Sequence, residues 1–343
     1  MISTTDKEEI LSPTDVEIKV HSVGLNFRDI LKGRGLFPHM EEFGIEYHQQ
    51  HANARNEIVG SEFSGTIIRK GLQVKALNVN DTVIGATIHH GAFKSHVIVD
   101  QCLVVPIKKL ISETTMKKLQ YQLHIQHGVD IATVQYCQKI GAEIIVTAGT
   151  EEKREYLREQ YGLKHIFSRD LSFVYNIRQL FPDGVNVILN SLSGIFLQES
   201  IKLLSNIGHF IELGKRDIYS QTNVSLFQLR NDCTFYVTDL TAVIEHHPKY
   251  IQTLLREILQ YEEQNPINSF QPVHIYEPSQ VIDAFRMFEQ ANHIGKLVLR
   301  ITGSSEALQV EEEEIQQIKS IYARIYLLSC TIMQLIMYLM SQD

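Results

Sequence analysis

The sequence predicts an α/β protein in which a compact, mostly β domain precedes a doubly wound parallel sheet. Three observations carry this. From Val16 to about Ile107, short runs of period-two character alternate with turns. From about Gln122 to Glu263, short apolar runs alternate with helical stretches, the pattern of a parallel sheet covered on both faces. The 343 residues suffice for two domains with a sizeable core, and 44% hydrophobic with 21% charged residues is the balance of a soluble globular protein.

In order along the chain, the β-rich part reads as "DVEIKVHSVGLNF", "SEFSGTIIRKG", "NDTVIGATI" and "KSHVIVDQCLVVP". The strands of the parallel sheet read as "AEIIVTAG", "VNVILNSL" and "GHFIELG", rich in Val, Ile and Leu. Between and after them lie the helical stretches "IRQLF", "GIFLQESIKLLS" and "YIQTLLREILQYEE". From Phe270 to Ile301 a strand, the helix "SQVIDAFRMFEQA" and the last strand "KLVLRI" follow. No internal repeat is evident. The tail carries the solvated run Glu311–Glu314 and then "IYARIYLLSCTIMQLIMYLM". A membrane helix needs about 20 apolar residues. This stretch has Arg324 near its start and Gln334 inside it, so a docking or dangling helix, or a poorly defined gene end, is expected rather than a span.

Several function classes are excluded. A net charge of −8 disfavours a general nucleic-acid surface. Cys102, Cys137, Cys233 and Cys330 are dispersed, with neither zinc-ligand spacing nor a disulfide framework, which fits a reduced, cytoplasmic compartment. The polar start "MISTTDKEEILSP" is not a signal peptide. The pairs His48/His51 and His89/His90 lack an acid or cysteine at ligand spacing and read as solvated loops.

The stretch from His124 to Arg154 has the order of a dinucleotide-binding βαβ start. A glycine-rich turn there lets pyrophosphate reach the helix N-terminus. Here the turn is His127-Gly128-Val129-Asp130, so only one glycine remains. The helix after it places Val129, Ala132, Tyr136 and Ile140 on one face. On these residues alone the loop is as consistent with plain packing as with a cofactor site. The next strand ends in Ala148-Gly149-Thr150, with Lys153 and Arg154 following and no acid at the strand end. Small residues with nearby cations suit a 2′-phosphate, and equally a Thr150 helix cap with solvated charges behind it.

Taken together, "VGLNFRDILKGRGLFP", "VGSEFSGTI", "NDTVIG", "GAFKSHVIVD", "GTEEKREYL", "SRDLSF", "LNSLSGIFLQESIKLL", "GHFIELGKRDI" and "HIGKLVLR" resemble the enoyl reductase domain of polyketide synthases and animal-type fatty acid synthases. That domain belongs to the zinc-free branch of the medium-chain dehydrogenase/reductase superfamily. The resemblance spans about residues 14–301, and the motifs recur in order and spacing. It implies a GroES-like β domain at 14–121 completed by 265–302, a Rossmann NADP-binding domain at 122–264, and a tail at 303–343.

The resemblance also implies roles. Gly128 and Val129 would lie at the pyrophosphate, and Thr150, Lys153 and Arg169 near the 2′-phosphate of NADPH. Asn190, Ser191 and Gly214 would line the cofactor cleft at strand ends, and Gly295 with Lys296 would belong to the strand that closes it. Asn26 would face the nicotinamide and substrate. Lys215 and Asp239 match a pair proposed to deliver a proton, where a structural ion pair is the plainer reading. No metal is implied. The substrate would be an acyl thioester on an acyl carrier protein, the partners other synthase domains, and a homodimer is open.

Two departures weaken the match. A side chain at position 127 and the Asp130 carboxylate crowd the phosphate turn, where like charge competes for the helix N-terminus. Between Pro106 and His124 the chain is short, and Tyr121 does not stand in the motif that carries a proton-donating tyrosine in some members. The first strand of the Rossmann sheet is therefore expected to be shortened and poorly specified. A quinone or enone reductase of the same superfamily, or a degenerate scaffold domain, are the alternatives.

Overall fold

The computed structural model describes residues 11–34, 59–87, 91–107, 120–124, 128–264, 273–290 and 293–301. They divide into two compact units: one holds the described residues up to 107 and from Leu240 onward, the other those from 120 to Asp239. His48, His51, His89, His90, His127 and the tail lie outside the described residues.

The first unit opens with strand β1 (Asp15–Gly24), helix α1 (Phe27–Gly33) and strands β2 (Glu62–Lys70), β3 (Thr82–Ala86), β4 (His96–Asp100) and β5 (Val104–Pro106). The second runs β6 (Gln120–His124), α2 (Gly128–Lys139), β7 (Glu143–Ala148), α3 (Glu151–Tyr161), β8 (His165–Ser168), α4 (Ser172–Leu180), β9 (Val185–Asn190), α5 (Ile195–Ile201), β10 (Leu204–Glu212), α6 (Arg216–Tyr219) and β11 (Thr234–Val237). The chain then adds α7 (Leu240–His246), α8 (Pro248–Gln264), β12 (Val273–Tyr276), α9 (Val281–Glu289) and β13 (Lys296–Arg300) to the first unit.

In the first unit the strand order is β12-β13-β1-β2-β3-β5, with β4 also on β1. The pairs are antiparallel except β12 with β13. The expected period of two is realised in β1: Val16, Ile18 and Val20 are fully buried while Glu17 and Lys19 are not. They pack with Phe63, Val83 and Val97 in one core. Residues 240–264, assigned by sequence to the nucleotide-binding region, belong to this unit instead. The reason is packing: α8 lies against the Gln101–Val104 segment, where the Gln252 amide donates to Gln101 O at 2.8 Å. An amphipathic helix carries no sequence mark of which sheet it will cover.

The second unit is a parallel sheet of order β11-β10-β9-β6-β7-β8. Numbered within the unit, that is 6-5-4-1-2-3, the doubly wound dinucleotide-binding order. Neighbouring residues along each strand enter opposite cores. Val146, Val187 and Ile211 pack with Val134 and Leu157 on one face. Ile145, Ile188 and Phe210 pack with Phe173 and Leu197 on the other. The expectation of a poorly specified first strand is met differently: "QYQLH" forms β6, hydrogen-bonded to β7 on one side and β9 on the other. The two backbone ladders place it, although its sequence is polar for a central strand. On α2 the buried residues include Ile131, Val134 and Cys137, with Ile140 partly buried against the same core. Among the described residues no helix is long and apolar enough to cross a membrane.

Strand β10 shifts register against β9 between Leu204 and His209. Inside that bulge Ile207 adopts φ 56°, with its side chain 71% exposed. A β-branched residue in the left-handed region crowds its own backbone at a cost of about 1–2 kcal/mol, and this side chain has little burial to offset it. Ile207→Gly should therefore raise the unfolding free energy by about 1 kcal/mol in a denaturant titration. A loss of stability would show that Ile207 is held by more than its backbone.

Candidate active site

In an open α/β sheet, ligands bind beyond the carboxyl ends of the strands, at the point where the strand order reverses. Here that point lies between β6 and β9. The residues singled out in this unit by sequence stand at or just beyond such ends: Gly128 and Val129 open α2 after β6, Thr150 and Lys153 follow β7, Arg169 follows β8, Asn190 and Ser191 end β9, Gly214 and Lys215 follow β10, and Asp239 follows β11. Asp130 falls in the first turn of α2.

Beyond β7, Thr150 caps α3, its hydroxyl accepting the Lys153 N–H at 3.4 Å. Arg169 lies over Gly149: a Cβ built there would stand 3.6 Å from the guanidinium carbon. Bare backbone under a guanidinium leaves space that a side chain would take. Lys153, in the first turn of α3, is 7% exposed. Glu151, the first acid after the strand, pairs with Arg154 at 2.6 Å and Arg158 at 3.5 Å, and these arginines hold its carboxyl below the usual range. The turn thus has the Arg169 guanidinium over Gly149, Lys153 in the helix turn that follows, and its first carboxylate already engaged by arginine. That donor set fits a phosphate monoester better than a ribose diol.

The ends of β9, β10 and β11 are tied together. Lys215 Nζ donates to Thr238 O at 2.5 Å and pairs with Asp239 at 3.5 Å, so the two residues expected to act together are neighbours, both partly exposed. Asn190 is fully buried. Its amide nitrogen donates to Leu192 O at 2.7 Å and to Glu212 Oε2 at 2.6 Å. Both amide N–H groups thus serve the protein, and Asn190 shapes the turn rather than presenting its amide donors outward. Gly194 has φ 66°, a region glycine tolerates, and its N–H donates to Asp217 at 2.7 Å, which joins the loop after β9 to α6.

In the first unit, Asn26 caps α1 in a capping box: its N–H donates to Asp29 Oδ2 at 2.9 Å. Asp29, 1% exposed, also accepts the Gly60 N–H at 2.8 Å. Burial raises its pKa above the ordinary carboxylate value. Lys296 Nζ donates to Asn26 Oδ1 at 3.1 Å and forms an ion pair with Glu62, each side chain 6% exposed. Asn26 and Lys296 are therefore one network, and Lys296 is a buried ion-paired cation. Gly295, with φ 90°, turns the chain into β13 just before it. Gly24 admits the pair, since a Cβ there would stand 2.9 Å from Lys296 Cε.

Sequence reasoning missed Asp29, Glu62 and Glu212. For Asp29 the signal was present, an acid three residues after a capping asparagine in "NFRD". For Glu62 and Glu212 it was an acid at the edge of an apolar run, which reads equally as a solvated strand end. Among the described residues no group of three His, Cys, Asp or Glu is placed to hold a metal ion.

Two family models match: the alcohol dehydrogenase GroES-like domain over residues 12–109 and zinc-binding dehydrogenase over residues 128–258. Polyketide synthase 37 of Dictyostelium discoideum is 32% identical over 333 residues, covering 83% of this chain and 11% of that protein. The chain thus spans about a tenth of that relative's length. The crystal structure of CurK enoyl reductase superposes with a TM-score of 0.72 at 30% identity, covering 86% of this chain and 93% of that one. The fold is shared with Escherichia coli quinone oxidoreductase, solved in complex with NADPH (TM-score 0.67, 18% identity, 87% and 94% coverage).

The Glu62–Lys296 pair yields a stability prediction. Glu62→Ala strands a buried ammonium and should cost about 3–5 kcal/mol in denaturant unfolding, whereas Glu62→Leu with Lys296→Met should recover most of it. A single variant within about 1 kcal/mol of the parent would mean that the pair is solvated.

Proposed function

We propose, for a chain that belongs to the enoyl reductase family of polyketide synthases within the medium-chain dehydrogenase/reductase superfamily, that it reduces the α,β double bond of an acyl thioester with NADPH. The observation that carries this reading is the Lys215–Asp239 pair at the carboxyl edge of the sheet, beside the ends of β9 and β10. Oxidoreductases of this family work with a nicotinamide cofactor. The choice of NADPH rests on Lys153 and Arg169 around Gly149, with Glu151 engaged by arginines.

Bound NADPH supplies the hydride that reaches the β-carbon. The protein's part is electrostatic and proton handling. As charge grows on the thioester oxygen, the Lys215 ammonium stabilises it, a contact stronger in the transition state than before it. The same Nζ can release a proton to the α-carbon, directly or through water, while Asp239 keeps it oriented. For Asn26 the role stays the one the resemblance implies; Lys296 and Asp29 hold it in place within its own unit. The acyl group is expected on an acyl carrier protein, with other synthase domains as neighbours. Asp130 adds a negative charge to the first turn of α2, and on that ground NADPH is expected to bind more weakly than at a glycine turn.

The test is steady-state reduction of a crotonyl thioester with either nucleotide. Lys153→Ala with Arg169→Ala should raise KM for NADPH by about tenfold or more, the scale of losing one or two charge-assisted phosphate contacts. KM for NADH should stay within about twofold. Equal losses for both nucleotides would contradict the assignment.

A further inference from the structure

Glu212 ends β10 and is 1% exposed, yet its carboxylate joins two loops. Its Oε2 accepts from Asn190 Nδ2 at 2.6 Å, and its Oε1 accepts from the Gly214 N–H at 2.5 Å. The Asn190 amide cannot reverse, because its nitrogen also donates to Leu192 O at 2.7 Å while its Oδ1 accepts the Leu192 N–H at 3.4 Å. Both carboxylate oxygens therefore face donors. The Gly214 backbone lies so close that a Cβ there would stand 2.5 Å from Oε1. The Glu212 backbone carbonyl accepts the Thr238 N–H at 3.0 Å, and the Leu213 N–H donates to Asn190 O at 2.8 Å. One residue groups the ends of β9, β10 and β11, and the next position after Gly214 is Lys215.

We propose that Glu212 is a positioning residue for Lys215: its carboxyl group locks the Gly214 turn, and the locked turn sets the ammonium against Thr238 O and Asp239. The inference rests on the role given to Lys215 above. A carboxylate in this position is not needed to close the sheet, since the strands are paired by their backbones. Its shape matters for where Nζ points, and a misplacement of about 1 Å can cost up to about a hundredfold in rate.

The group is titratable. Burial pushes the Glu212 carboxyl up to about 8, against its hydrogen bonds from Asn190 and Gly214. Asp217 on α6 adds to the rise, Lys215 in the turn opposes it, and Asp239 lies across Lys215 at the end of β11. A carboxyl whose folded pKa is raised binds its proton more tightly when folded. Its contribution to stability is therefore present at low pH and is lost as pH rises from the ordinary carboxylate range to about 8.

The experiment is a double-mutant cycle of E212Q and K215A on the full chain, with NADPH and a crotonyl thioester, plus unfolding midpoints across pH. E212Q should lower kcat by about tenfold with KM for NADPH within about twofold, and should add nothing in the K215A background. Its unfolding midpoint should lack the fall that the parent shows between about pH 5 and 8. Multiplicative losses in the cycle would overturn the positioning role, and coinciding pH curves would overturn the buried titrating carboxyl. A K215A variant with unchanged kcat would instead remove Lys215 from the reaction, which separates failure of that reading from failure of this one. Should E212Q not fold, E212D keeps the carboxyl group but withdraws it from Gly214, and the same coupling is expected.

Discussion

Parallel strands cannot be joined by tight turns. Each β-α-β crossover in the second unit must climb back along the sheet, so every strand there starts at one edge and ends at the other. That constraint collects the loops after β6 to β11 on a single edge. Residues as distant in sequence as Thr150, Arg169, Asn190, Lys215 and Asp239 become members of one edge for this reason alone. The chemistry proposed for the chain depends on that collection, because its phosphate grip draws on the segments after β7 and β8 and its Lys215–Asp239 pair on those after β10 and β11.

Two buried polar networks then convert loose loops into fixed ones. In the first unit Asp29, Asn26, Lys296 and Glu62 join α1 to β13 and β2. In the second, Glu212 and Asn190 join the ends of β9 and β10. Desolvated charges are expensive unless fully partnered, so such networks tolerate few alternative arrangements. The Asn26 N–H donates directly to the buried Asp29, and Lys215 follows the Gly214 whose N–H donates to the buried Glu212.

Much of this was legible in the sequence, for physical reasons that can be named. Alternating Val16, Ile18 and Val20 announced a half-buried strand, and the runs ending at Ala148, Asn190 and Glu212 announced a parallel sheet. Lys215 beside Asp239 was foreseen and is found. Other features could not be read. The polar "QYQLH" gives no sign of a central strand, since its place is set by ladders to β7 and β9. That the Asn190 amide N–H groups would go to Leu192 O, two residues on, and to Glu212 has no mark in the sequence. A buried acid at a strand end looks, in sequence, like a solvated one.

The central claim is that this chain moves a hydride onto the β-carbon of an enoyl thioester. It is tested most directly in a single-turnover reaction, with protein in excess, between a crotonyl thioester and NADPH carrying deuterium at the transferable position. The account predicts a butyryl product with one deuterium on the β-carbon and a solvent-derived hydrogen on the α-carbon. A saturated product without deuterium, or no reduction at saturating NADPH, would contradict it.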